Sequence, residues 1–305
     1  MTALSGVIAA AATPLRPDLE IDRDRLVRHC GWLLENGCDG INLLGTTGEA
    51  TSFSVEQRLA AMQAVAQSGL PLERFMVGTG AAALQDAVRL TRSAMDLGFA
   101  GALLLPPFYY KGIRDEGLSD YVTEVIGRVG PGLKLYLYHF PQNSGVPYPI
   151  NVLKLLKQRH PEVLLGLKDS SGDLAYSAEA AKSVPDFAVF PSAEGSLAEA
   201  KKLGFAGCIS ATANITAPFA AIGWQSAGTE AGAKGVADAV AVRNALGSVN
   251  LIAAVKWAIA DLTGDQAWLR VSPPLQQLDA AEIDKLKSAL AATAYGTLHA
   301  RMKAA

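Results

Sequence analysis

The sequence predicts an α/β fold, a (β/α)8 TIM barrel over residues 1–215 followed by a C-terminal helical region over 216–305. Three observations carry that expectation. Eight short β-rich runs recur along the first two-thirds of the chain, segments with the apolar spacing of a helix lie between them, and no further run follows. Several helices end on glycine and pass within a few residues into the next strand, as at Glu35-Asn36-Gly37, Asp96-Leu97-Gly98 and Lys202-Leu203-Gly204. Strands that alternate with helices run parallel, and eight such units close into a barrel.

The runs are Val7-Ile8-Ala9-Ala10, Ile41-Asn42-Leu43-Leu44, Phe75-Met76-Val77-Gly78, Ala102-Leu103-Leu104-Leu105, Leu133 to Tyr138, Val163-Leu164-Leu165-Gly166, Phe187-Ala188-Val189-Phe190 and Cys208-Ile209-Ser210. Leu26, His29, Cys30, Leu33 and Leu34 mark a helix after the first run. Leu84, Val88, Leu90, Ala94 and Leu97 mark another after the third. Asp173 is placed to cap the helix after the sixth. From about Thr216 onward helix follows helix, with breaks at Gly228, Gly247, Gly264 and Pro273-Pro274.

An open doubly wound sheet competes through Gly78-Thr79-Gly80-Ala81-Ala82-Ala83, a loose dinucleotide-binding pattern. That pattern wants an acid closing the next strand, and here the next strand ends Leu104-Leu105-Pro106-Pro107. The glycines are expected to let a βα loop turn tightly instead.

Composition narrows the function classes. With 50% hydrophobic residues the chain can bury a sizeable core, and a net charge of -2 with scattered acids and bases provides no basic face for nucleic acid or membrane. A small-molecule partner is expected. Cys30, Cys38 and Cys208 lack CxxC spacing and read as free buried thiols suited to a reducing cytoplasm. The apolar start, Met1 to Ala12, lacks a basic region and meets Pro14, so it reads as a strand and not a signal. His29, His139, His160 and His299 are dispersed, and no metal is expected. Asp169, Ser171 and Asp173 alternate like a calcium loop, yet its twelfth position would be Ala180.

In a barrel of this kind the chemistry lies at the C-terminal strand ends. The sixth strand leads into Lys168. A buried ammonium there either snorkels or pairs with a carboxylate such as Asp169, or else the side chain sits as a neutral amine able to form an imine. Gly45-Thr46-Thr47-Gly48 can surround a small anion with amides and hydroxyls, or can be an ordinary turn. Tyr138 points the same way as residues 134 and 136, where a phenol can shuttle protons or merely plug the barrel. His139 faces the other way and reads as structural.

Together these residues resemble the dihydrodipicolinate synthase / N-acetylneuraminate lyase family of pyruvate-handling class I aldolases. The matching motifs are Gly45-Thr46-Thr47-Gly48-Glu49, Pro107-Phe108-Tyr109-Tyr110, Tyr138 with Pro141 and Gly145, Gly166-Leu167-Lys168, Gly207 to Asn214, and Val255-Lys256-Trp257-Ala258, which together cover nearly the whole chain. The resemblance implies that Lys168 forms a Schiff base with pyruvate or another 2-keto acid and that no cofactor is needed. It implies that Thr46 and Thr47 hold the carboxylate, that Tyr138 moves protons, and that Thr47 links Tyr138 to Tyr109. It further implies that Ile209 lines the pocket through its backbone. In such enzymes the tyrosine matching Tyr109 reaches across from a neighbouring subunit, so a dimer or a homotetramer built of dimers is implied.

One departure bears on the substrate. Dihydrodipicolinate synthases carry an arginine where this chain has Asn143, and an asparagine supplies neither the charge nor the bidentate fork. Ser144-Gly145-Val146 and Phe108-Tyr109-Tyr110 look more like neuraminate lyases and sugar-acid aldolases. Ser192-Ala193-Glu194-Gly195 nevertheless lacks the adjacent acidic pair of neuraminate lyases and leaves Glu194 as a candidate polar contact. Lys111 and Arg114 are placed to meet an acidic distal group, or to be solvated loop charges. The expected activity is reversible aldol cleavage of a 2-keto-3-deoxy sugar acid. The alternatives are 4-hydroxy-tetrahydrodipicolinate synthesis from pyruvate and aspartate semialdehyde, a dehydratase or deaminase using the same imine, and, from another class, a silent keto-acid-binding barrel.

Overall fold

In the computed structural model, which describes residues 4–304, eight short parallel strands stand side by side with helices on their outer face. They are β1 (Gly6–Ala10), β2 (Gly40–Leu43), β3 (Phe75–Gly78), β4 (Gly101–Leu104), β5 (Leu135–His139), β6 (Leu164–Asp169), β7 (Ala188–Pro191) and β8 (Gly207–Ser210). Their paired order is β7-β6-β5-β4-β3-β2-β1-β8. Across the remaining seam Ala206 N donates to Val189 O at 2.9 Å, so the sheet is a nearly closed barrel. Each expected run overlaps one strand. β6 is the instructive difference: it extends three residues past Gly166, because Tyr138 pairs with Lys168 and His139 with Asp169. Lys168 therefore lies inside the ladder.

Strand alternation divides the core in two. Ile8, Ala10, Met76, Leu103, Tyr136, Tyr138, Phe190 and Ile209 fill the barrel. Ile41, Leu43, Phe75, Val77 and their counterparts face the surrounding helices. Gly78 and Gly80 serve close packing rather than a tight turn. A Cβ at Gly78 would collide with the Leu44 carbonyl and one at Gly80 would lie 2.6 Å from Leu105 Cβ, while neither glycine has positive φ. The Arg58 guanidinium reaches the carbonyls of both, at 2.8 Å and 3.1 Å.

Helix Ala213–Gln225 packs on β1, and helices Glu230–Leu246, Leu251–Thr263, Ala280–Ala291 and Tyr295–Ala304 follow it. Among the described residues no single helix is long and apolar enough to cross a membrane. Asn214 secures the first of these helices to the barrel. Its Nδ2 donates to Ala10 O at 2.8 Å and Ala211 O at 2.7 Å, and its Oδ1 accepts from Ala12 N at 3.0 Å. His29 Nε2 lies 2.8 Å from the same oxygen and must be the donor, because that oxygen has no proton to give. Cys30, Cys38 and Cys208 are buried free thiols, and burial pushes the Cys30 thiol up to about 12.

Burial holds the His29 imidazole down to about 4, against a pull upward from Asn214. The folded protein therefore keeps His29 neutral, whereas the unfolded chain protonates it below its ordinary value of 6.5. The contribution of His29 is fully present above that pH and is lost as the pH falls toward 4, by on the order of 3 kcal/mol. Urea unfolding of wild type and His29→Gln between pH 7 and pH 4 checks this. The wild type is expected to lose more stability over the interval than the variant, and parallel losses would exclude His29 as the titrating group.

Candidate active site

Of the polar groups expected at the strand ends, Lys168, Tyr138 and Thr46 come together, beginning with β5 and β6. Because Tyr138 and Lys168 are paired in register and both point inward, Lys168 Nζ lies 4.3 Å from the centre of the Tyr138 ring. Both side chains are almost wholly buried, at 5% and 3% exposure. Asp169 turns outward and does not pair with Lys168. Its oxygens accept from Ser171 N at 2.8 Å and Ser177 Oγ at 2.6 Å. Asp173 caps helix Leu174–Ser183 through Ala175 N and Tyr176 N. His139 also faces away, accepting from Tyr148 N at 3.0 Å and stacking on Tyr176, and burial holds its imidazole below the usual range.

The Tyr138 hydroxyl meets Thr46 Oγ1 at 3.2 Å and Ser170 Oγ at 3.4 Å. Thr46, and not Thr47, is thus the threonine that reaches Tyr138. Adjacent residues of a tight loop project in different directions, so only one of the two hydroxyls can do so. Thr47 is buried and its side chain makes no hydrogen bond to another described protein group. Gly48 packs against the segment just after β1, where a Cβ would come within 2.9 Å of Ala11 O. Ile209 is fully buried among the barrel-filling side chains. Tyr109 shares no hydrogen bond or ring contact with these groups and stands 74% exposed, edge-on to an equally open Tyr110 at 71%. Asn143 is exposed in the short helix Pro141–Ser144.

Glu194 occupies a different place from the one expected of a substrate contact. It is fully buried, and its Oε1 accepts from Ser210, Thr212 and Thr216 hydroxyls at 2.9, 2.7 and 2.6 Å. Arg243 Nη1 stands 3.4 Å from Oε2. A buried carboxylate needs donors, and these four side chains supply them in place of water. The carboxylate thereby ties β7 to β8 and to helices Ala213–Gln225 and Glu230–Leu246. Lys111 is also committed: its ammonium donates to Phe108 O and, at 2.6 Å, to Ser144 O, clasping the loop after β4 to the loop after β5. Gly145 makes room for that lysine, since a Cβ there would lie 2.7 Å from Lys111 Cδ, and it adopts a φ of +66°.

The loop Gly45–Glu49 is fastened from the C-terminal side of the chain. Glu49, at a left-handed φ of 56°, forms an ion pair with Lys256 of helix Leu251–Thr263, with both side chains at 0% exposure. Ser272 N donates to the other Glu49 oxygen at 2.6 Å, and Lys256 also donates to Arg270 O at 2.6 Å. Burial lowers the Lys256 pKa, while Glu49 pulls it back up. Both residues belong to motifs visible in the sequence, but nothing in a separation of 207 residues announces their pairing.

The fold and its rim define a TIM-barrel protein whose polar site lies at the C-terminal strand ends, where barrels of this kind perform chemistry. The description "Dihydrodipicolinate synthetase family" matches residues 3–293, and the chain belongs to that family. It is 32% identical over 296 residues to an uncharacterised DapA-like lyase of Chloroflexus aurantiacus, covering 96% of this chain and 98% of that protein. It is 33% identical over 210 residues to a 4-hydroxy-tetrahydrodipicolinate synthase of Thermus thermophilus, covering 68% and 69% of the two chains. The crystal structure of a dihydrodipicolinate synthase from Agrobacterium tumefaciens superimposes with a TM-score of 0.87 at 28% identity, over 94% of this chain and 99% of that one. Family membership makes this protein an enzyme, a lyase of the class I aldolase type.

Breaking the Glu49–Lys256 pair from either side leaves a buried charge without its partner, which costs about 3–5 kcal/mol. Lys256→Met and Glu49→Gln are therefore each expected to lower stability. Urea unfolding of both variants and of the double variant measures this. The double variant should lose less than the sum of the single losses, and strict additivity would show that the two groups do not interact.

Proposed function

We propose that the enzyme condenses the amine of Lys168 with the ketone of pyruvate or a 2-keto acid and uses the resulting iminium to make or break a carbon–carbon bond. The carrying observation is the inward pair of Lys168 and Tyr138, with the phenol hydrogen-bonded to Thr46. Attack by the neutral amine on the carbonyl carbon produces a carbinolamine. Loss of its hydroxyl as water, with a proton delivered by Tyr138, leaves the iminium. The iminium accepts the electron pair of the bond broken between the third and fourth carbons, and Tyr138 takes the proton released from the departing hydroxyl. This chemistry needs no cofactor.

Thr46 orients Tyr138 and passes protons to it. The open Thr47 hydroxyl, with the backbone amides of Thr47 and Gly48, holds the keto-acid carboxylate, and Ile209 closes the pocket through its backbone. Two adjacent tyrosines exposed to 74% and 71% are unusual on a free surface, which supports a partner subunit covering Tyr109 and bringing it to the site of its neighbour. A dimer, or a homotetramer of dimers, follows. Three buried free thiols favour a reducing, cytoplasmic setting.

The favoured reaction is reversible aldol cleavage of a 2-keto-3-deoxy sugar acid. Asn143 is uncharged where a synthase would grip a second carboxylate, and the neighbouring Lys111 is occupied by two carbonyls, so this side of the site suits a polyol better than an acid. The second reading, condensation of pyruvate with aspartate semialdehyde, is favoured by the Thermus relative. Pyruvate release from a panel of keto-deoxy sugar acids, beside product formation from pyruvate and aspartate semialdehyde, decides between them. Tyr138→Phe is expected to slow the active reaction by on the order of a hundredfold without loss of fold. Unchanged turnover would remove Tyr138 from the mechanism, and preference for aspartate semialdehyde would replace the first reading by the second.

A further inference from the structure

We infer that Asn42 contacts the substrate and reads hydroxyl groups on the carbon chain of the keto acid, an inference that rests on the imine reading above. Asn42 lies in β2 between Ile41 and Leu43, which pack outward against the helices, so its own side chain faces the barrel axis. It is fully buried, and neither Oδ1 nor Nδ2 has a hydrogen-bond partner among the described residues. Its neighbours in register are Ala10 and Met76, which offer no side-chain donor and at most a weak thioether acceptor, and neither pairs with the amide. Nδ2 sits against the Gly45–Glu49 loop, since a Cβ at Gly45 would come within 2.6 Å of it.

Strand register shows what the amide faces. In an eight-stranded barrel of this type the inward side chains of alternate strands share a layer, and each strand is offset from the last by one residue. Asn42 pairs with Met76, Val77 with Ala102, Leu103 with Tyr136, and Leu137 with Leu167. One step beyond each partner leads from Asn42 through Val77, Leu103 and Leu137 to Lys168. In the other direction Asn42 pairs with Ala10 and Ala9 with Ser210, so one step back at each leads to Ile209. Asn42, Leu103, Lys168 and Ile209 thus form one layer, with the amide and the amine on opposite strands. Leu103 and Ile209 are apolar, which leaves Asn42 as the polar group facing Lys168 across the barrel.

A buried amide with both atoms unpaired is costly in an apolar interior, and such groups mark places where something else meets them. The chemistry of the partner follows from the inventory. A ketone or carboxylate only accepts hydrogen bonds, so it would pair with Nδ2 and leave Oδ1 bare. A hydroxyl both donates and accepts, so a hydroxylated chain can satisfy the whole carboxamide. Among the groups of a keto-acid substrate only such hydroxyls match both amide atoms, so the ligand class we infer is a 2-keto acid with hydroxyls beyond its keto carbon, as in a 2-keto-3-deoxy sugar acid.

The test compares borohydride trapping of wild type, Asn42→Val and Asn42→Thr with two probes, pyruvate and 2-keto-3-deoxygluconate. Asn42→Val removes both polar atoms, whereas Asn42→Thr keeps one hydroxyl. Relative to wild type, the ratio of sugar-acid to pyruvate trapping should fall by roughly tenfold or more in Asn42→Val and by less in Asn42→Thr, as for a site built to bind a hydroxyl. Trapping of pyruvate itself should change by less than about twofold, and the melting temperature of Asn42→Val should equal or exceed that of wild type, since an unpaired amide is gone. If Asn42→Val does not fold, the partial fall in Asn42→Thr carries the test. An unchanged ratio, an equal fall for both probes, or a wild type that traps pyruvate but not the sugar acid overturns the inference and leaves the imine intact. A wild type that traps neither probe removes the imine reading and this inference with it.

Discussion

The site depends first on the register between β5 and β6, which sets Tyr138 directly opposite Lys168. A slip by one residue would turn one of the two side chains to the outer face, because strand side chains alternate. The register is held by the ladder itself and by Ser170 N donating to His139 O at 2.8 Å just beyond it. Asp169 and His139, the outward neighbours, are each bound to groups behind the strands, so the inward pair is fixed from the opposite side as well. A phenol and an amine are thereby held at close range before any substrate arrives, which is the preorganisation that the proposed imine chemistry would require.

Three fastenings bring the remaining rim groups to that pair. The buried Glu49–Lys256 ion pair ties the Gly45–Glu49 loop, and with it Thr46, to a helix far along the chain. Lys111 clasps the loops after β4 and β5 through two carbonyls. Glu194, with three hydroxyls and Arg243, joins β7 and β8 to the helices behind them. At Glu49, Lys256 and Glu194 a charged group is taken out of water and given fixed partners, a costly arrangement that is justified where loops must be held in one position, whereas Lys111 makes its clasp from the exposed surface. The C-terminal helices accordingly take part in shaping the site through Lys256.

Much of this was legible in the sequence because it rests on local pattern. Strand positions follow from short apolar runs, helix ends from glycines such as Gly98 and Gly204, and the inward face of Tyr138 from simple alternation. Lys168 stands out because a lysine at the end of an apolar run is chemically conspicuous. What escaped depends on distance in sequence or on rotamers. Thr46 and Thr47 are adjacent and identical, and only the loop geometry decides which of them meets Tyr138. Glu194 and Lys111 are charged residues at strand ends, which reads equally well as contact with substrate or as internal fastening. Asn42 reads simply as part of a strand, although a polar residue within an apolar run that faces a barrel axis is itself a signal.

The most direct measurement is peptide mapping by mass spectrometry after incubating the enzyme with pyruvate and borohydride, beside a Lys168→Ala control. The account predicts one reduced pyruvate adduct, on the peptide that carries Lys168, and none in the control. An adduct on another lysine, or one that survives the substitution, would contradict it, and so would the absence of any adduct on the folded wild type.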